Sequence, residues 1–222
     1  VPSSGAWPPP FSVGSHVTFL LFFFFVTRRN AYSLMSSPYD ASKYQIAVRR
    51  VAEGKGGSVA MHQNVREGDV VPVTIPANLF PLSKHARHHV FIAGGVGITP
   101  VFAQLEELSL KGDSFDLHLA VRGAEHSRLG RELKERYGET VTLYEGATGE
   151  RLNIARVLAD RPLGTHVYVC GPAGMIDEVV DSAHALGWTD PHIHFERFED
   201  LGSTGEPFSV TMAKTGVVVN VS

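Results

Sequence analysis

Cysteine is nearly absent: the 222-residue chain has one, Cys170. A single thiol builds no intrachain disulfide framework, excludes a four-cysteine iron–sulfur or zinc site within these residues, and fits a reducing, cytoplasmic compartment. Long basic runs are absent as well, and the net charge is -3, which argues against nucleic acid as the main partner. Long apolar runs are also lacking. The strongly apolar stretch 17–26 has ten residues, well short of the roughly 20 that span a bilayer. It reads as a buried or edge strand, so no membrane partner is expected and the chain is taken as a monomer.

Two glycine-bearing motifs stand about seventy residues apart. Gly94-Gly95-Val96-Gly97-Ile98-Thr99-Pro100 follows the apolar run 90–93, and Cys170-Gly171-Pro172 follows 166–169. Glycines at the end of a buried strand let a ligand approach the backbone, and Thr99 before Pro100 reads as an N-cap and first-turn pair. A phosphate or a nicotinamide could sit there. If the two strands are neighbours, both motifs face one crevice at the switch point of an open parallel sheet.

The pattern between them supports such a sheet. Apolar runs at 90–93, 115–121, 141–144, 166–170 and 192–195 alternate with amphipathic stretches at 101–110, 128–137, 153–158 and 173–186. Five strands separated by helices imply right-handed crossovers and an α/β domain. Upstream, the β-rich segments 32–34, 44–50 and 70–75 are broken by Pro38, Gly54, Gly56, Gly57, Gly68 and Asp69 without intervening helices. That predicts a small antiparallel β-barrel or sandwich. The boundary falls in the polar, basic stretch 82–89, giving a β-barrel over 1–84 and a nucleotide-binding α/β domain over 85–200. A flexible linker follows at 201–207, and the remainder to residue 222 suffices for one β-hairpin. His85, His88 and His89 lack paired acidic or thiol ligands and read as solvated rather than as a metal cluster.

A candidate phosphate cradle lies in the upstream half. Lys55-Gly56-Gly57-Ser58 precedes a short helix-like run, 59–62, and the turn Arg66-Glu67-Gly68-Asp69. Consecutive glycines can aim several N–H groups at one anion, and a helix N-terminus adds partial positive charge. The alternative is a solvated hairpin turn. Nearby, Arg28-Arg29-Asn30-Ala31-Tyr32-Ser33-Leu34 offers cation, ring and hydroxyl along one strand, as a planar phosphorylated cofactor requires.

In order and approximate spacing, these motifs, with Pro76 and Pro81 and the closing His194-Phe195-Glu196, resemble the ferredoxin-NADP reductase superfamily. Within it the chain most resembles the phthalate dioxygenase reductase group. That resemblance implies an FMN-dependent NADH oxidoreductase that takes hydride onto flavin and feeds single electrons through a [2Fe-2S] domain to a Rieske-type oxygenase. It also assigns residues. Tyr32, Ser33 and Leu34 would contact the isoalloxazine, with Leu34 contributing backbone. Gly56, Gly57 and Ser58, helped by Lys55, would hold the FMN phosphate. Gly95, Val96, Gly97 and Thr99 would border the nucleotide; Cys170, Gly171 and Pro172 would lie near the nicotinamide; the segment from Phe195 to Phe198 would close the flavin site. Cys170, Ser33 and Thr99 are the positions expected to carry catalysis, by positioning: nicotinamide and flavin must stack at about 3–3.5 Å with water excluded, and no acid or base is demanded. Cys170 and Phe195 also have plain readings as core residues.

The chain departs from the family pattern in places. The arginine expected two residues before the tyrosine is Asn30, with Arg29 one residue earlier, and a one-residue strand shift reverses the facing side. The phenylalanine run 22–25 leaves open an interface, an insertion or a misassigned stretch. The segments 208–212 and 217–219 resemble the opening hairpin of a plant-type ferredoxin domain, so the full protein is expected to continue into a [2Fe-2S] module and to begin with additional barrel strands. After the second α/β strand, the stretch from Arg122 to Arg128 is where a 2′-phosphate or 2′-hydroxyl would be read: Glu125 suits a ribose hydroxyl and NADH, whereas Ser127 with Arg128 suits the phosphate of NADPH; the resemblance favours NADH. Two further readings remain: an FAD-dependent NADPH-ferredoxin or flavodoxin reductase, and a non-catalytic flavin-binding electron-transfer subunit.

Overall fold

The structure, a computed structural model, describes residues 8–23, 26–40, 42–54, 56–123, 128–149 and 151–198, together with the backbone of two strands at 208–211 and 218–221. The side chains at 22–28 and beyond 198 lie outside that description, as do the candidate residues Lys55, Glu125 and Ser127 and the linker 201–207.

The upstream half is a small antiparallel sheet. β1 (Ser15–Phe23) pairs with β2 (Val26–Ser33) over its length and with the short β3 (Ala77–Asn78) at its start, in the order β2-β1-β3. A single helix, α1 (Gly57–Asn64), follows the glycine cradle, as its sequence predicts. Two of the β-rich segments are not strands. Segment 70–75 carries Pro72, which has no N–H, and only brushes β1: Leu20 N–H donates to the Pro72 carbonyl at 2.9 Å, Thr74 N–H donates to Thr18 at 2.9 Å, and Val73 bridges Phe19. Segment 44–50 follows β2 through one backbone bond, Met35 N–H to the Gln45 carbonyl at 2.8 Å.

The downstream half winds as expected. β4 (His88–Gly94), α2 (Ile98–Lys111), β5 (Ser114–Val121), α3 (Arg128–Tyr137), β6 (Val141–Glu145), α4 (Ile154–Leu158), β7 (Thr165–Cys170), α5 (Ala173–Ala185) and β8 (Ile193–Glu196) form a five-stranded parallel sheet in the order β6-β5-β4-β7-β8. The central strands read as continuous apolar runs because helices cover both faces. One layer joins Phe91, Ala93, Leu117, Leu119 and Tyr168 to Val101, Leu105 and Leu133; the other joins Val90, Ile92, Val167 and Val169 to Ile154, Val157, Ile176 and Val179. Beyond the sheet, β9 (Phe208–Thr211) and β10 (Val218–Val221) pair antiparallel, in the place where the sequence predicts a hairpin.

Phe80 locks the halves together. Its ring meets Tyr168 edge-on at 5.9 Å, and its carbonyl accepts the Gln104 side-chain amide at 2.7 Å. The same carbonyl lies where a Cβ at Gly14 would fall, 2.0 Å away, so Gly14 must be bare for the joint to close. The Ser83 N–H completes it by donating to the Tyr168 hydroxyl at 2.9 Å.

Candidate active site

The register Ala93 opposite Cys170 makes β4 and β7 direct neighbours, which brings the two glycine motifs to one edge of the sheet. The chain leaves β4 in a tight turn, Gly95–Gly97. A Cβ at Gly97 would fall 2.1 Å from the Cys170 carbonyl oxygen, one at Gly94 would meet Pro172 Cδ at 2.6 Å, and one at Gly171 would reach Gly94 N at 3.0 Å. Backbone presses on backbone across this contact. Gly95, with φ +54, has open space where its side chain would stand, so the crevice presents a floor of peptide planes at the carboxyl ends of the strands, where open α/β sheets bind ligands.

Thr99 is not an N-cap. The turn Gly95–Gly97 has already aimed the chain, so α2 starts at Ile98 with Gly97 in the capping position, and Thr99 Oγ1 donates back to the Val96 carbonyl at 3.0 Å. It is buried and holds the shape of the loop.

Cys170 sits in the core with no exposed surface. Burial, reinforced by the neighbouring Glu196 carboxyl, pushes its pKa up, which keeps it a neutral thiol. Glu196 stands opposite Cys170 in the β7–β8 register. Burial raises its pKa to about 7, and its Oε2 has no hydrogen-bond partner among the described residues. The resemblance reaches this residue only as part of the segment 195–198 that would close the flavin site; the signal for its buried acid is a carboxylate ending a strand beside a cysteine-glycine turn. Next to it, Phe195 and Phe198 are about half exposed, and Arg197 lies over the Phe195 ring at 5.5 Å while pairing with Asp177 at 2.6 Å.

On the antiparallel sheet, alternation puts Asn30 and Tyr32 on one face of β2 and Arg29 and Ser33 on the other. Asn30 meets the glycine cradle: its Oδ1 occupies the space a Gly57 Cβ would take, 2.0 Å away. Arg29 is exposed on the opposite face, so Asn30, and not Arg29, borders the start of α1. Gly56 caps α1 in the left-handed region at φ 88, and Ser58 Oγ accepts the Val51 N–H at 3.0 Å. Tyr32 packs edge-on to Phe19 at 5.6 Å. Ser33 is 4% exposed, and its Oγ has no partner among the described residues. The Leu34 N–H is already spent on the Ser15 carbonyl at 2.8 Å, so its carbonyl is the group left to serve a ligand.

The histidines at the boundary differ from their solvated reading. His85 is exposed, but His88 opens β4 and reaches Ser114 at 2.7 Å and Asp116 at 3.1 Å. His89 is buried against Tyr168 and Phe91. Strand β4 starts two residues before its apolar run and carries both inward. No group of metal ligands forms among the described residues. Arg122 is exposed at the carboxyl end of β5, its carbonyl accepting the Ala147 N–H at 3.0 Å.

An antiparallel flavin-type sheet joined to a five-stranded nucleotide sheet, with a glycine crevice between the central strands, defines an NAD(P)H-dependent flavin oxidoreductase of the ferredoxin-NADP reductase type. Residues 77–193 match the family model described as dimethylamine monooxygenase subunit DmmA-like, N-terminal domain. The carnitine monooxygenase reductase subunit of Acinetobacter pittii is 42% identical over 214 residues, covering 96% of this chain and 69% of its own. The heme-dependent oxidative N-demethylase beta subunit of Ectopseudomonas mendocina is 41% identical over 215 residues, covering 96% and 68%. Among solved structures, phthalate dioxygenase reductase, titled a modular structure for electron transfer from pyridine nucleotides to [2Fe-2S], superposes with a TM-score of 0.81 at 30% identity, over 99% of this chain and 69% of that one. The chain belongs to the DmmA-like and phthalate dioxygenase reductase family, and it spans about two thirds of the length of these relatives. Among the described residues, no helix is long and apolar enough to cross a membrane.

Proposed function

We propose that this chain is the flavin and nucleotide core of an oxygenase reductase: it binds FMN on the antiparallel sheet, receives NADH in the glycine crevice, and delivers electrons to a Rieske-type oxygenase by way of a [2Fe-2S] module. The observation that carries the reading is the direct packing of Gly97 on the Cys170 carbonyl, which leaves a bare backbone floor at the switch point of the sheet. The residues present fit a flavin. Ser33 holds a buried hydroxyl without a partner, and Gly56, Gly57 and Ser58 open α1 beside the Asn30 amide.

A flavin there supplies the conversion between a two-electron donor and one-electron acceptors. The chain supplies everything around it. The start of α1, with Asn30 and Lys55, takes the phosphate; Tyr32, Ser33 and the Leu34 carbonyl orient the ring; Gly95, Val96, Gly97, Gly171 and Pro172 let the nicotinamide lie flat; Arg122 borders the distal part of the nucleotide. Cys170 and Thr99 act through loop shape. Phe195 and Phe198 cover the ring and exclude water, and Glu196 stays protonated up to about pH 7, so no fixed negative charge opposes a reduced cofactor.

The oxygenase partner rests on the relatives, whose names attach to a carnitine monooxygenase and to a heme-dependent N-demethylase. The [2Fe-2S] module rests on the phthalate dioxygenase reductase match and on the paired strands β9 and β10. We retain the domain limits 1–84, 85–200 and 201–222 as part of this reading; the contacts of Phe80 with Gln104 and of Ser83 with Tyr168 support the first of them. Acid extraction followed by chromatography tests the flavin: recovery of FMN supports the reading, and FAD replaces it with the ferredoxin reductase alternative. A flavin that stays oxidised under anaerobic NADH and NADPH alike would leave only a non-catalytic electron-transfer subunit.

A further inference from the structure

The second face of the parallel sheet is covered unevenly. The apolar layer under α4 and α5 draws its strand residues from β4, β7 and β8 and none from β5 or β6. On that uncovered half lies a pocket of about 370 Å³ lined by His118, Tyr144, Arg151, Asn153, Arg156 and Arg161, with Val157.

Its floor is braced. Arg161 pairs with Asp116 and donates through Nε to the Val157 carbonyl. Its Nη2 lies 3.5 Å from His118 Nε2, and His118 Nδ1 lies 3.0 Å from the Tyr144 hydroxyl. A guanidinium only donates, so His118 accepts at Nε2 and carries its proton on Nδ1. Burial, and then Arg161, hold it neutral, with a pKa lowered to about 4. The rim is not neutralised. Arg151 and Arg156 have no ion-pair partner among the described residues, and no carboxylate lines the pocket. Asn153 is fixed by accepting the Arg156 N–H at 2.9 Å. Two uncompensated guanidiniums thus converge on a concave polar surface in a chain whose net charge is -3.

We propose that this pocket binds a phosphomonoester. A dianion matches the two uncompensated charges, and the planar fork of arginine suits phosphate oxygens. Tyr144 lines the pocket near the carboxyl end of β6, and Arg161, held on Asp116 near the start of β5, lines it towards the opposite end of the sheet. Two sources share this chemistry: the 2′-phosphate of NADPH, a source that rests on the nucleotide reading above, and a separate phosphorylated metabolite.

The test uses the flavin-loaded chain and the double variant Arg151→Ala/Arg156→Ala. Both positions are exposed, so the fold is retained. Adenosine 2′,5′-bisphosphate and ribose 5-phosphate are titrated calorimetrically, and KM is measured for NADPH and NADH. Binding of at least one probe weakens about tenfold or more in the variant, as loss of charge-assisted contacts requires. If the KM for NADPH rises in parallel while that for NADH holds, the cofactor is the source. If both KM values hold while ribose 5-phosphate binding is lost, a separate metabolite is. Unchanged binding of both probes, or failure of both to bind the parent chain, overturns the proposal. If neither nucleotide reduces the flavin of the parent chain while probe binding still depends on the arginines, the nucleotide reading fails and the phosphate pocket stands.

Discussion

A methyl group at position 97 has nowhere to go. At 2.1 Å from a carbonyl oxygen, Gly97→Ala must push the β4 and β7 loops apart, at about 1–3 kcal/mol. A lowered melting temperature with loss of nucleotide-driven flavin reduction is the expected result; full activity would mean that the loops do not form the nicotinamide floor. Ser33 makes the opposite case. Its buried hydroxyl has no partner among the described residues, so in the flavin-free chain Ser33→Ala raises stability by about 1 kcal/mol, whereas flavin affinity falls. Urea midpoints with and without flavin separate the two effects, and a less stable flavin-free variant would contradict the assignment. At this scale the glycines are legible, because close approach accounts for Gly94, Gly97 and Gly171 and a positive φ for Gly95. The role of Thr99 is not, since the turn before it starts the helix early. The neutral carboxyl of Glu196 is hidden as well, because its burial comes from β7, whose residues lie far away in the chain.

Among elements, strand register creates what sequence distance hides. His89, His166, His192 and His194 look unrelated along the chain. Pairing of β4, β7 and β8 stacks them with Tyr168: His166 Nδ1 lies 2.9 Å from His194 Nε2, and Tyr168 stacks on His194 at 4.5 Å. Burial lowers the pKa of both His89 and His166 to about 4. A depressed histidine pKa means the unfolded chain takes the proton first, so stability is full above about pH 6.5 and drains as pH falls towards 4. Glu196 runs the other way: with its pKa raised to about 7, the folded chain holds the extra proton, and stability declines as pH rises from about 4.5 to 7. With His118, whose pKa is likewise lowered to about 4, three imidazoles against one carboxyl leave a net loss towards acid, about 3 kcal/mol between pH 7 and 5. Urea midpoints at the two pH values measure it. Glu196→Gln should steepen the slope and His166→Gln should flatten it; a flat profile in the parent chain would show that the stack does not titrate in this way. The helices and parallel strands are legible because their periods are regular. The antiparallel half is less so, since Pro72 and a single bond from Met35 keep two β-rich segments out of the sheet.

For the whole molecule, the sequence supplies two motifs and a condition, that their strands be neighbours. The order β6-β5-β4-β7-β8 meets it. The joint at Gly14, Phe80, Gln104 and Tyr168 then fixes one sheet against the other, an arrangement that glycine spacing alone does not reveal. The oxygenase and its substrate are not legible here, because the contacts that select them belong to the partner. The central claim is that nicotinamide and flavin meet in one crevice of this chain. Anaerobic titration of the flavin-loaded protein with NADH tests it most directly: the account predicts stoichiometric bleaching of the flavin absorbance, and an unchanged spectrum with NADH and NADPH alike would contradict it.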